Sequence, residues 1–164
     1  RIKYKKRDLV KRLVSVGSDI PACFLSKQCL VKGIGENISL LPHLDNKIWV
    51  VLIKPRINIS TKKVFDNFKG PFSKENMYSF NFQDIILDMN NYQNDLKQNI
   101  KKNYIEISNL LKNFPDYNCL TKARITGSGS VIFCTFKSYK DAKSCLRRLT
   151  NEYNLWAKIS SINL

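Results

Sequence analysis

The chain has 164 residues, of which 28 are basic and 13 acidic, for a formal net charge of +15 at pH 7; 43% are hydrophobic, with six glycines and five prolines. These proportions exclude collagen and intrinsic disorder, and the length suits one compact domain, alone or with part of another. The strongest apolar run, residues 48–53, has the length of a buried strand and falls far short of the ~18–20 apolar residues of a membrane span, so no membrane partner is expected.

Residues 1–12 are basic without the apolar centre of a secretory signal, and the chain opens on Arg1, so it reads as incomplete. The pattern Leu9, Leu13, Val16 predicts a helix from Asp8, with Asp8 as N-cap and Gly17 at its end. An apolar stretch over 22–31 follows, and Gly33-Ile34-Gly35-Glu36 predicts a turn between short strands. Residues 48–53, closed by Pro55, predict a central strand buried on both faces. Ser60 or Thr61 caps a short helix carrying Val64, Phe65 and Phe68, stopped by Gly70-Pro71; Asn81 and Asp84 mark another capped start. One long amphipathic helix is predicted over 95–114, from Leu96, Ile100, Tyr104, Ile107, Leu111 and Phe114, ended by Pro115. Strands over 123–125 and 131–136 flank Gly127-Ser128-Gly129-Ser130. A helix over 138–149 with Ser138 and Asp141 as capping box, and a strand over 155–159, complete the chain. From residue 47 the order is strand, helices, two strands, helix, strand, which predicts a ferredoxin-like α+β sandwich with helices on one face of a mostly antiparallel sheet.

Five cysteines without a CxxC pair, and a single histidine, His43, predict no zinc site and no Ser-His-Asp or Cys-His catalytic arrangement. Cys134 and Cys145 read as small buried residues of a reducing compartment, the cytoplasm. The lysine excess suits polyanions, but Asn, Lys and Ile crowd the whole chain, so the charge follows compositional drift and predicts no nucleic-acid partner. Two segments carry chemistry. Gly127-Ser128-Gly129-Ser130 can leave backbone N–H groups free for an anion, or be a plain serine-glycine hairpin turn; it lacks the lysine and spacing of a Walker A loop. Asp19, between Ser18 and Ile20-Pro21, can orient or deprotonate a hydroxyl, or simply cap a helix or turn.

Taken in order, Gly17-Ser18-Asp19-Ile20-Pro21-Ala22-Cys23-Phe24, Gly33-Ile34-Gly35-Glu36 with Pro42, the strand ending in Pro55, Ile59-Ser60-Thr61 with Val64-Phe65, and Thr126-Gly127-Ser128-Gly129-Ser130 form a series. In that series the chain resembles the family of 4-diphosphocytidyl-2-C-methyl-D-erythritol kinases, within the galactokinase, homoserine kinase, mevalonate kinase and phosphomevalonate kinase superfamily. The resemblance implies transfer of the γ-phosphoryl group of ATP, with Mg²⁺ accompanying the nucleotide, to the 2-hydroxyl of cytidine-diphosphate-linked methylerythritol, and no protein-held metal. It implies that Asp19 is the catalytic aspartate, that Phe65 stacks on cytosine beside Thr61, and that Gly127, Ser128, Gly129 and Ser130 lie close to the substrate; the alternative for Phe65 is a helix-core residue. Lys62 and Lys63 depart from the family, which often carries proline and another small residue there. The resemblance also implies that residues 1–46 end an N-terminal domain and that 47–164 form the C-terminal domain. The family's glycine- and serine-rich phosphate loop has no counterpart in this sequence, so no residue here is assigned to ATP and the chain alone is expected to be inactive. Two rival readings are an RNA-recognition module, disfavoured because serines stand where stacking aromatics are needed and Phe133 falls out of that register, and a non-catalytic domain with no need of Asp19.

Overall fold

Residues 6–43, 45–73, 89–91, 94–114 and 117–163 are described in a computed structural model. The chain divides into two units, Arg1–Leu44 and Asp45–Leu164.

In the first unit, α1 (Lys6–Val16) begins two residues before Asp8. Asp8 therefore lies in the first turn, where its charge suits the helix dipole, rather than at the cap. The Gly17 N–H donates to the Leu13 carbonyl at 3.3 Å and closes the last turn. A second helix, α2 (Ile20–Leu25), occupies the start of the apolar stretch; Pro21 is tolerated because first-turn N–H groups have no intrahelical acceptor, and left-handed Ser26 (φ 49°) ends it. Then β1 (Cys29–Lys32) and β2 (Asn37–Leu40) pair antiparallel, from Cys29 opposite Leu40 to Lys32 opposite Asn37, around the predicted turn. The Glu36 carboxylate pins that turn by accepting from the Ile34 N–H at 2.7 Å and from Asn37 Nδ2 at 2.9 Å. Gly35 sits at φ +101°, and a Cβ there would stand 2.0 Å from the Ser18 carbonyl oxygen. The hairpin turn thus lies on the backbone immediately before Asp19, an approach that only glycine permits.

In the second unit, β3 (Lys47–Lys54) lies inside a four-stranded sheet of order β4-β5-β3-β6, all pairings antiparallel, with β4 (Thr121–Ile125), β5 (Ile132–Phe136) and β6 (Trp156–Asn163). Ile48, Val50, Val51 and Ile53 are buried and Trp49 and Leu52 half-buried, as an apolar run covered on both faces requires. Register puts Val51 opposite Cys134 and Ile53 opposite Ile132, so these residues share one face. On that face α6 (Tyr139–Asn151) lays Ala142, Cys145 and Leu149, all fully buried. Its start follows the predicted capping box: the Asp141 N–H donates to Ser138 Oγ at 3.1 Å and the Ser138 hydroxyl to Asp141 Oδ2 at 2.6 Å. All eight residues of β6 pair with β3, a longer strand than 155–159. The start of β4 is extended to Thr121, whose buried hydroxyl accepts from the Thr135 hydroxyl at 3.0 Å. A mixed α+β architecture with antiparallel sheets results.

The single helix expected over 95–114 is instead two, α4 (Lys97–Asn103) and α5 (Ile105–Lys112), broken at Tyr104 (φ −133°, ψ 85°). Asn103 Nδ2 donates to the Asn99 carbonyl at 2.8 Å, a side-chain bond that competes with continuation of the helix. Ile100 and Ile107, one from each piece, are both fully buried in the common core. The helix start read at Asn81 and Asp84 lies outside the described residues. All five cysteines are free; the Cys134 thiol is pushed far up by hydrogen bonding with Cys119, then with Cys145, and by burial, which keeps it an unreactive core residue. Among the described residues no helix is long and apolar enough to cross a membrane.

Gly35→Ala forces backbone against backbone, at a strain of about 1–3 kcal/mol. Amide exchange at Cys23, whose N–H donates to the Asp19 carbonyl at 3.0 Å, is expected to quicken about tenfold or more; an unchanged rate would show that the turn does not brace the Asp19 segment.

Candidate functional site

The loop between β4 and β5 is built on two tight turns. The Thr126 N–H donates to the Val131 carbonyl at 3.0 Å and the Gly129 N–H to the Thr126 carbonyl at 2.9 Å. Gly127 (φ +50°) and Gly129 (φ +81°) take left-handed backbone, and the Gly129-Ser130 peptide is cis. A Cβ at Gly129 would stand 3.1 Å from Ile59 Cδ1 and 3.5 Å from Ile125 Cγ2, so the loop is packed onto the segment leading to α3 (Thr61–Asp66). Around Gly127 there is open space. Among the described residues the N–H groups of Gly127 and Ser128 have no acceptor, which is the arrangement an anion-binding turn needs. Ser130 is buried and Ser128 half-buried.

Ser60 starts α3, its Oγ accepting from the Lys63 N–H at 3.4 Å, and Val64 fills the core. Phe65, next on the helix, is 51% exposed, so the alternative of a helix-core role for it does not hold. The structure joins two of the sequence-predicted positions directly: Thr61 Oγ1 and Ser128 Oγ share a hydrogen bond at 2.9 Å, across 67 residues of chain. Lys62 pairs with Asp66 at 3.2 Å on the exposed side of α3, a contact between solvated groups that contributes little. The departure at Lys62 is thereby placed on the solvent side.

Two asparagines that the sequence reading did not single out hold this patch together. Asn94 Nδ2 donates to the Gly127 carbonyl at 2.6 Å and, less closely, to the Ile125 carbonyl at 3.3 Å, while its Oδ1 accepts from the Leu96 N–H at 3.0 Å. One side chain therefore ties the glycine loop to the start of α4. Asn99 Nδ2 donates to the Val64 carbonyl at 2.7 Å and ties α3 to the same helix. Beside Asn94, the Ser73 hydroxyl, then its backbone N–H at 2.8 Å, hold the Asp95 carboxyl below the usual carboxylate range against a small opposing effect of burial. The only signal in the sequence was an Asn-Asp pair ahead of an apolar periodic run, and the abundance of asparagine hid it.

Asp19 belongs to the first unit. It occupies the N-cap position of α2 with helical dihedrals (φ −86°, ψ −15°), yet its side chain makes no cap hydrogen bond. The carboxylate is exposed and, among the described residues, without a hydrogen-bond or ionic partner. Capping thus does not account for the aspartate. Phe133, weighed as a base-stacking residue, is half-buried in β5 opposite Leu52 and Arg124. Among the described residues no cluster of three or more His, Cys, Asp or Glu gathers to hold a metal.

No family model matches the chain. It is 37% identical over 142 residues to the 4-diphosphocytidyl-2-C-methyl-D-erythritol kinase of Ehrlichia ruminantium, covering 83% of this chain and 50% of that protein. To the enzyme of the same name from Clostridium acetobutylicum it is 30% identical over 153 residues, covering 90% and 54%. The chain spans about half the length of the curated relatives it matches. Among solved structures, a 4-(cytidine 5'-diphospho)-2C-methyl-D-erythritol kinase superposes with a TM-score of 0.72 at 17% identity, over 95% of this chain and 57% of that one. The homoserine kinase of Cytophaga hutchinsonii superposes at 0.53 and 16% identity, over 88% and 50%.

Asn94→Ala removes the donor to Gly127 and the acceptor for Leu96 together and is expected to cost about 1–3 kcal/mol. Urea unfolding of the second unit, followed by tryptophan fluorescence, checks it; a midpoint within error of the parent would remove Asn94 from the support of the loop.

Proposed function

We propose that this chain, which is similar to 4-diphosphocytidyl-2-C-methyl-D-erythritol kinases over about half of their length, belongs to the galactokinase, homoserine kinase, mevalonate kinase and phosphomevalonate kinase superfamily and is the substrate-binding part of a small-molecule kinase that phosphorylates the 2-hydroxyl of 4-diphosphocytidyl-2-C-methyl-D-erythritol in the cytoplasm. The observation that carries this reading is the Thr61–Ser128 hydrogen bond, which sets the α3 segment against a glycine loop with two N–H groups that have no acceptor among the described residues.

On this reading the exposed Phe65 ring stacks on the cytosine, an interaction worth about 1–3 kcal/mol per base. The Gly127 and Ser128 N–H groups donate to an anionic oxygen of the substrate, and a preset donor of this kind needs no reorganisation when charge arrives. The uncommitted Asp19 carboxylate accepts the proton of the attacking hydroxyl or fixes its direction. ATP with Mg²⁺ supplies the phosphoryl group, and no residue of this chain is assigned to either. Residues 47–164 are then the ferredoxin-like C-terminal domain and 1–46 the end of the N-terminal one.

Isothermal titration of the chain with the cytidine-diphosphate-linked substrate, with CTP and a short single-stranded RNA as comparators, tests the reading. Saturable substrate binding is expected, weakened about 5- to 100-fold by Phe65→Ala, the range corresponding to about 1–3 kcal/mol. Binding of RNA alone with a steep salt dependence would overturn it.

A further inference from the structure

On another part of the second unit's surface, α4, α5 and β4 line a partly open cleft of about 580 Å³. Four of its lining residues are lysines: Lys97 and Lys101, one turn apart on α4, Lys112 at the end of α5, and Lys122 on β4. No carboxylate lines it among the described residues, and none of the four lysines has an ion pair among them. The rest of the wall is largely apolar, from Leu111, Phe114 and Ala123. Burial, and after it the charges of Lys101, Arg124 and Lys122, hold the Lys97 ammonium below the usual lysine range. Like charges gathered in a concave, partly desolvated space repel one another, and the arrangement is relieved by a ligand that brings several negative charges at once.

We propose that this cleft binds an amphipathic organic diphosphate, its anionic head between the four lysines and its apolar part on Leu111, Phe114 and Ala123. A single phosphate leaves most of the cationic wall unmatched, and an extended inorganic anion leaves the apolar wall unused. A nucleic acid would satisfy the charge but presents its phosphates on a continuous strand, whereas these four lysines line one concave cleft with an apolar wall. None of the described lining residues belongs to the glycine loop or to α3, which carry the residues assigned to substrate.

Titration of the chain with inorganic pyrophosphate, octyl diphosphate and a 20-nucleotide single-stranded DNA at fixed salt tests the proposal. Octyl diphosphate is expected to bind one to one and at least tenfold more tightly than pyrophosphate, and K97Q/K101Q is expected to weaken both at least tenfold. Lys122→Gln, on the strand side, gives an independent reading should the double variant fail to fold. Absence of saturable binding, equal affinity for the two diphosphates, or affinities untouched by the lysine variants would overturn the proposal. So would displacement of pyrophosphate by the oligonucleotide with a steeper salt dependence, which would make the surface a nucleic-acid groove.

Discussion

Burial of β3 between β5 and β6 is the constraint on which the second unit depends. Val51 and Ile53 are removed from water altogether, and burial of a side chain of that size stabilises by about 1.5–3 kcal/mol. Because side chains alternate along a strand, fixing those two on the helix side also fixes Cys134 and Ile132 opposite them, and with them the side on which α6 must lie. The same register sends β4 and β5 to one edge and holds the turn between them in place. The glycine loop is therefore positioned by a core it does not itself fill.

From that core the site is reached through packing first and polar contacts second. Gly129 leaves just enough room for Ile59, so the approach to α3 passes directly over the loop. Asn94 and Asn99 then satisfy carbonyls at Gly127 and Val64 that tight turns and short helices otherwise leave open. With the Thr126 and Gly127 carbonyls engaged and the Gly127 and Ser128 N–H groups without an acceptor among the described residues, the loop suits an anion better than a cation. The first unit uses the same device in another form. Gly35, lying against the Ser18 backbone, sets the position of a helix start whose aspartate makes no bond of its own to the helix.

Much of this was legible from residue patterns. The apolar run at 48–53, the Ser138 and Asp141 pair, the turn at 33–36 and the loop at 127–130 each carry a local signal strong enough to survive the chain's bias toward Asn, Lys and Ile. The break at Tyr104 was not legible, because Ile100 and Ile107 keep helical spacing across it while the asparagines that interrupt the backbone look like solvent-facing residues. Helix α2 was glimpsed only as a possible cap at Asp19, because six residues at the start of an apolar stretch are too few to show a helical repeat. Asp8 was misplaced for a simpler reason: a carboxylate in a helix's first turn and one at its cap leave the same mark in sequence. The bracing asparagines and the lysine-lined cleft depend on side chains brought together over long separations, which no periodicity records.

The most direct test of the account is a two-dimensional amide NMR titration of the chain with the cytidine-diphosphate-linked substrate. Saturable shifts at the Gly127 and Ser128 N–H signals, together with the amides of α3, are predicted, with those of β1 and β2 still. Shifts absent from the loop, or confined to Lys97, Lys101 and Lys122, would contradict the placement of substrate where α3 meets the glycine loop.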